Sequence, residues 1–260
     1  MKKRIFDDAA QAALYIAGTV EQLLEAKKDE GRTPVFCLAA GHTSLPVFDA
    51  LAERKIDFSA ARFIELDEWL DISPEQSGSC ARFMRENFFS RINADPRNIS
   101  LFNPLTNDPD AECRRMQETL GQWGGIDYLL LGMGMNGHLA LNEPGGGRSD
   151  VDDMSRGVHV SALSGATLAV APKYFPQGMP PITRGITLGL ADIRAARLIH
   201  LTVFGSHKRE ALRRLLKAAA GVENSAATVN HYAAEFPAAA LLDLAHAELL
   251  MDSPAAEAAD

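Results

Sequence analysis

Apolar positions along the chain fall into two alternating rhythms: short continuous runs and longer stretches at helical spacing. Residues 7–27 carry Ala10, Ala13, Leu14, Ile16, Ala17, Val20, Leu23 and Leu24 at helical spacing, with Asp7 or Asp8 placed to cap the start. Gly31 and Pro34 close that helix and open a buried strand at 35–39. A small-residue turn, Ala40-Gly41-His42-Thr43-Ser44, then leads into a helix through Val47, Phe48, Ala50 and Leu51. Residues 62–66 read as a strand with Asp67-Glu68-Trp69 at its carboxyl end. The spacing predicts helices over 79–92 and 108–120, a short strand at 98–102 between them, and a fully buried strand at 127–131. Further strands at 185–189, 198–204 and around 249–251 alternate with helices at 190–195 and 210–219, and residues 254–260 read as a frayed tail. Alternating strand and helix predicts an α/β protein: a doubly wound, mostly parallel, Rossmann-like sheet flanked by helices on both faces. Residues 146–184 break the rhythm, rich in Gly, Asp, Ser, Ala and Pro, and read as a lid-like insertion or binding loop within one domain spanning 1–260.

The chemistry-bearing residues sit where strands end. The run Leu129-Leu130-Leu131 breaks into Gly132, Gly134 and Gly137, then presents Asn136, His138 and Glu143. A buried strand ending in glycines and followed by an imidazole and a carboxylate is the layout of a site at the carboxyl edge of a parallel sheet. The turn from Gly41 to Ser44 stands between a strand and a helix, the arrangement that offers free N–H groups and hydroxyls to an anion. It is neither a dinucleotide fingerprint nor a Walker loop, and an ordinary capped βα turn fits it equally well. Asp67 and Glu68 suit a general base, or else a helix cap. Lys208, in Gly205-Ser206-His207-Lys208, puts a cation in a helix first turn, where it opposes the helix dipole. His200, inside a strand, reads as a core or edge histidine. In a doubly wound sheet the 41–44 turn, Asp67, the 136–143 loop and Lys208 all leave strands at one edge, and a phosphate anchor, a carboxylate and a His/Glu pair on one rim is the layout of a sugar-phosphate site.

Composition narrows the class. Of 260 residues 47% are apolar, enough for a sizeable core, and a net charge of -8 argues against a nucleic-acid or anionic-membrane partner while leaving room for a local basic pocket. Cys37, Cys80 and Cys113 are scattered without a CxxC pair, the pattern of reduced thiols and a cytoplasmic location rather than a disulfide framework or zinc site. Lys2-Lys3-Arg4 resembles a signal-peptide start, but Asp7 and Asp8 interrupt the apolar run that would follow. No apolar run reaches the ~18 residues of a membrane span.

Three stretches carry a family resemblance: Leu66-Asp67-Glu68-Trp69, the run from Asn136 through Asn142-Glu143-Pro144-Gly145, and Thr183-Arg184-Gly185-Ile186-Thr187-Leu188-Gly189-Leu190. They resemble the glucosamine-6-phosphate deaminase and 6-phosphogluconolactonase superfamily, and within it the galactosamine-6-phosphate deaminase/isomerase branch. The resemblance implies that Asp67 moves a proton between C2 and C1. It implies that His138 assists ring opening, that Glu143 orients it, and that Gly41, His42, Thr43 and Lys208 hold phosphate, with Ser44 completing the turn. The sequence departs from the glucosamine-type pattern in Asn136, where an aspartate is common, and in Ala40 and Ser44 of the turn. The lid arginine of those enzymes has no clear match, and Lys173 and Arg184 are the candidates. The implied reaction is galactosamine 6-phosphate to tagatose 6-phosphate plus ammonia, with glucosamine 6-phosphate as the alternative substrate and a phosphogluconolactonase as a further one. No cofactor or metal is implied, the partner is a small sugar phosphate, and a homo-oligomer is compatible. A non-enzymatic rival, a sugar-phosphate-sensing module, needs a DNA-binding helix pair, for which the residues before 35 leave no room.

Overall fold

A computed structural model describes residues 1–145, 154–221 and 226–257. In chain order the strands are β1 (Lys2–Phe6), β2 (Val35–Leu38), β3 (Arg62–Ile64), β4 (Asp67–Trp69), β5 (Ile99–Ser100), β6 (Tyr128–Gly132), β7 (His159–Ala162), β8 (Arg184–Thr187), β9 (Ile199–Val203) and β10 (Ala247–Asp252). Seven of them make one sheet in the order β1-β10-β9-β6-β2-β3-β5, each neighbouring pair parallel. Helices α1 (Ala9–Asp29), α2 (Leu45–Glu53) and α3 (Cys80–Asn87) cover one face, and α4 (Pro109–Gln122) with the helices Leu190–Ala195 and Arg209–Gly221 covers the other. The doubly wound, mostly parallel architecture read from the sequence is the one observed.

The two-residue period of each strand explains the layering. Val35 and Cys37 of β2 join Leu129 and Leu131 of β6 in one core, while Phe36 and Leu38 join Tyr128 and Leu130 in the other. The helices begin where the sequence places caps: Asp8 accepts from Gln11 N at 2.8 Å for α1, and Asp108 from Ala111 N at 2.9 Å for α4, where Pro109 fills the first helical position. His200 is a core histidine, 1% exposed, with Nδ1 3.0 Å from the Tyr128 hydroxyl.

From β2 the chain builds outward to β3 and β5, then crosses back to β6 and outward the other way to β9 and β10. Strand order therefore reverses between β2 and β6, and the crevice beyond their carboxyl ends is the switch point where such sheets bind ligands.

Several elements differ from expectation. Residues 62–66 and Asp67 do not form one strand with a polar tip, because β4 peels off to pair antiparallel with β8, which pairs with β7 in a separate three-stranded sheet. The strand expected at 185–189 belongs to that sheet rather than to the parallel one. Charged β1, taken for no element, is one of the two edge strands of the parallel sheet, where Lys2, Lys3 and Arg4 suit an exposed edge. The irregular stretch expected at 146–184 contains β7, the helix Gly165–Val170 and a 3-10 turn at Ala171–Tyr174, and its residues 146–153 lie outside the described residues. The helix Ala226–Glu235 had no clear sequence signal. The tail expected to fray starts as the short helix Ser253–Ala256, capped by Asp252, while residues 258–260 are outside the described set.

Candidate active site

At the switch point lies a cavity of about 630 Å³, continuous in its lining with a second of about 320 Å³. Asp67, His138, Gly41, His42 and Lys173 line both. Asn136, Thr43, Ser44 and Lys208 line the larger one. Glu143 stands behind His138 and does not reach either space. Arg184, the other lid-cation candidate, lies elsewhere: it projects from β8 and pairs with Asp71 at 3.1 Å on the surface. Lys173, on the 3-10 turn, is the candidate the structure brings to the cavity, its ammonium 4.8 Å over the Tyr174 ring.

The loop after β6 is folded tightly around its own histidine. Gly134 N donates to His138 O at 3.0 Å, and a Cβ on Gly134 would lie 2.3 Å from the His138 ring, so only glycine admits the imidazole there. Gly137 has φ +86°, and a Cβ there would strike the Phe236 ring. Ala140 holds φ +53°, a left-handed conformation costing a non-glycine residue about 1–2 kcal/mol. The strain falls on a residue lining the cavity. Asn142 anchors the far side, donating to Leu139 O and Leu188 O at 2.9 Å each.

His138 Nδ1 lies 3.5 Å from Glu143 Oε2 and 3.2 Å from the Thr167 hydroxyl. Asn136 bridges the pair: its Nδ2 donates to Glu143 Oε2 at 2.9 Å and its Oδ1 accepts from His138 N at 3.2 Å. Burial pushes the Glu143 carboxyl up, but hydrogen bonds from His138, Thr167 and Asn136 more than offset it and hold it down at about 2. A fixed anion beside Nδ1 orients the ring.

Asp67 makes no side-chain hydrogen bond among the described residues, and burial, with the neighbouring charge of Glu68, pushes its carboxyl up to about 7. Glu68, fully buried, points the other way. It accepts from Ser79 Oγ at 2.6 Å and from Trp69 N, Cys80 N and Ala81 N at 2.9 Å each, clasping the start of α3. The adjacent acids thus divide the two readings open at the sequence level: one faces the cavity, the other holds a helix N-terminus.

Opposite Asp67 is a cationic corner. Lys208 Nζ donates to Met133 O at 2.6 Å, and burial together with Lys173 lowers its pKa to about 8. His42 stacks on Tyr174 at 5.3 Å, and burial and Lys173 hold its pKa below the usual imidazole range. Sequence reasoning missed His207, Tyr174 and Thr167. His207 lines the same corner one residue before Lys208, and Thr167 sits in a helix capped by Ser164, whose oxygen accepts from Thr167 N at 3.2 Å. Ser164 is a residue type that suits a helix cap, but nothing local points that helix at His138. Among the described residues no group of three or more His, Cys, Asp or Glu side chains is placed to hold a metal ion, and no helix is long and apolar enough to cross a membrane.

Sheet order and a carboxylate, imidazole and cation rim at the switch point define an α/β protein with a polar ligand cleft of the kind enzymes use. The family model described as Glucosamine-6-phosphate isomerases/6-phosphogluconolactonase matches residues 7–239, and the chain belongs to that family. A glucosamine-6-phosphate deaminase 1 from Giardia intestinalis is 33% identical over 213 residues, 80% of this chain and 76% of that protein. A glucosamine-6-phosphate deaminase from Dictyostelium discoideum is 30% identical over 226 residues, 84% of this chain and 82% of that protein. The solved structure of a monomeric glucosamine-6-phosphate deaminase superposes with a TM-score of 0.85 at 27% identity, covering 99% of both chains.

Proposed function

We propose that the chain is a glucosamine-6-phosphate deaminase, converting glucosamine 6-phosphate and water to fructose 6-phosphate and ammonia. The galactosamine 6-phosphate substrate expected from the resemblance gives way to this one because the relatives described above carry the glucosamine name. The observation that carries the reading is the shared cavity: Asp67 and His138 line one space together with Lys208, Lys173 and the 41–44 turn. At about 630 Å³ it accommodates a linear hexose with its phosphate.

In this reading the cationic corner and the N–H groups of the turn bind the phosphate, and that remote contact holds the reacting carbons in place. His138, oriented by Glu143 and Asn136, moves the proton that opens the ring. Asp67 takes the C2 proton of the open aldehyde and returns it to C1, leaving a C2 imine. Water adds to C2, the C–N bond breaks, and ammonia leaves with the proton. A carboxyl held near 7 suits a group that must both accept and give back a proton near neutrality.

The test is ammonia release from glucosamine 6-phosphate and galactosamine 6-phosphate, run beside hydrolysis of 6-phosphogluconolactone. Release from the gluco epimer with the larger kcat/KM is expected. Ammonia mainly from the galacto epimer would restore the earlier substrate, and lactone hydrolysis alone would sink the deaminase reading. Asp67→Asn is expected to lower kcat by about 10²–10⁴-fold while inorganic phosphate still binds.

A further inference from the structure

Glu65 has no part in the chemistry above, yet its surroundings are unusual. It is 6% exposed, and its Oε1 is the single buried side-chain polar atom without a hydrogen-bond partner among the described residues. Its Oε2 accepts from Phe102 N at 2.6 Å. Such an orphan in a well-packed interior calls for a physical account.

The account comes from packing at the break between β3 and β4. Glu65 lies between the two strands, and it lines, together with Asp67, Phe63 and Leu66, one small void of about 10 Å³ next to Ala40. That is roughly the space of a single water, which needs about 10–15 Å³ and polar partners. The void offers two acids as partners, and one of them, Asp67, also lines the large cavity.

We propose that Glu65 is a positioning residue for Asp67: its carboxylic acid donates through Oε1 to one buried water, and that water donates to the Asp67 carboxylate. The bridge itself rests on the packing alone; its kinetic consequence rests on the reading of Asp67 as the base.

The protonation states agree with the direction of the bridge. Burial, and then the charge of Glu68, push the Glu65 carboxyl well above the usual carboxylate range, the direction that favours its donor form. A bridging water that donates to Asp67 favours its charged form and limits how far burial and Glu68 raise its pKa. The charged and titratable groups that face the pair are Glu68 on β4, Cys37 on β2, Cys80 and Arg85 from α3, Arg115 from α4 and Tyr174 from the 3-10 turn. Among these, Glu68 and the two thiols oppose ionisation or stay neutral, and Arg85 acts on Glu65 in the other direction. None supplies a hydrogen bond to Asp67 among the described residues, and on the side away from the large cavity the water is its donor.

Two variants separate positioning from packing. Glu65→Gln keeps a donor towards the water and an acceptor for Phe102 N, whereas Glu65→Leu removes both. The titration of the Asp67 carboxyl, followed by carbon-13 NMR in substrate-free protein, is expected to move up by about one pH unit in Glu65→Leu and to stay in place in Glu65→Gln. The acidic limb of kcat/KM should move with it. An unmoved titration in Glu65→Leu, or an equal shift in Glu65→Gln, overturns the proposal. Should Glu65→Leu fail to fold, a crystal structure of the unaltered protein decides: one water bonded to both acids supports the bridge, and a dry void overturns it. If the unaltered protein releases no ammonia, the functional reading fails alone, because the NMR and crystallographic results stand without turnover.

Discussion

The surroundings of each titratable side chain at the site set the pH range in which it works. Asp67 loses its proton at about 7 and Lys208 at about 8. The base works ionised and the phosphate cation works protonated. The kcat/KM of the free enzyme is therefore expected to rise as pH passes about 7 and to fall above about 8, giving a narrow optimum between them. A rate profile in glucosamine 6-phosphate from pH 5 to 10 checks this, and a plateau continuing past pH 9 would detach Lys208 from binding. Gly134 gives a sharper test of geometry. With 2.3 Å between a Cβ and the imidazole, Gly134→Ala must swing the His138 ring out of reach of Glu143. A displacement of this kind is expected to lower kcat by about 10²-fold, with a melting temperature close to that of the unaltered protein. Full activity in Gly134→Ala would show that the ring position is not required.

Among the elements, β4 and α3 are joined by one residue. Glu68 fills the N-terminal N–H groups of α3 with a carboxylate, which satisfies groups the helix leaves unpaired and suits the positive end of its dipole. Glu68→Ala strands three backbone N–H groups, of Trp69, Cys80 and Ala81, and is expected to cost about 3 kcal/mol of stability, measured by urea unfolding. A loss under 1 kcal/mol would mean that water reaches the clasp. The sequence showed Asp67 and Glu68 as an adjacent pair without saying which faces the substrate, because the division depends on a helix twelve residues away. The parallel sheet was legible because its strands are apolar runs bounded by turn residues, as in 35–38 and 128–132. The second sheet was not legible: β4, β7 and β8 are three or four residues each and rich in polar groups, so their pairing is decided by tertiary contacts rather than by pattern. Arg184 was drawn towards the site by its nearness to a family-like stretch, and β8 turns it to the surface, whereas Lys173 reaches the cavity from a segment with weak periodicity. The loop 132–145 was readable in detail because its glycines and polar residues serve contacts within the loop itself.

For the molecule as a whole, the site straddles two sheets: His138 follows a strand of the parallel sheet and Asp67 belongs to the small antiparallel one, with Glu65 and Glu68 buried and Asp67 half-buried at the junction. Burial raises all three above their ordinary range, so the folded chain holds protons that the unfolded chain has already released. Where the folded state binds more protons, stability falls as pH rises. For Asp67 that window runs from its ordinary 3.8 up to about 7. Below it both states are protonated and the group is neutral to folding; above it the native chain carries a buried charge that the unfolded chain carries in water. Asp67→Asn removes that charge without removing volume. The variant is therefore expected to be more stable than the unaltered protein by about 2–4 kcal/mol at pH 8, and equal to it below about pH 4. Urea unfolding of both proteins at the two pH values measures this directly. A variant that gains stability equally at both would assign the gain to packing, and one that gains none at pH 8 would mean that Asp67 is solvated well enough to ionise in the ordinary range. The expected pattern, an inactive protein that is firmer only where the carboxylate is charged, is the signature of a base kept in an unfavourable setting for the sake of its reaction.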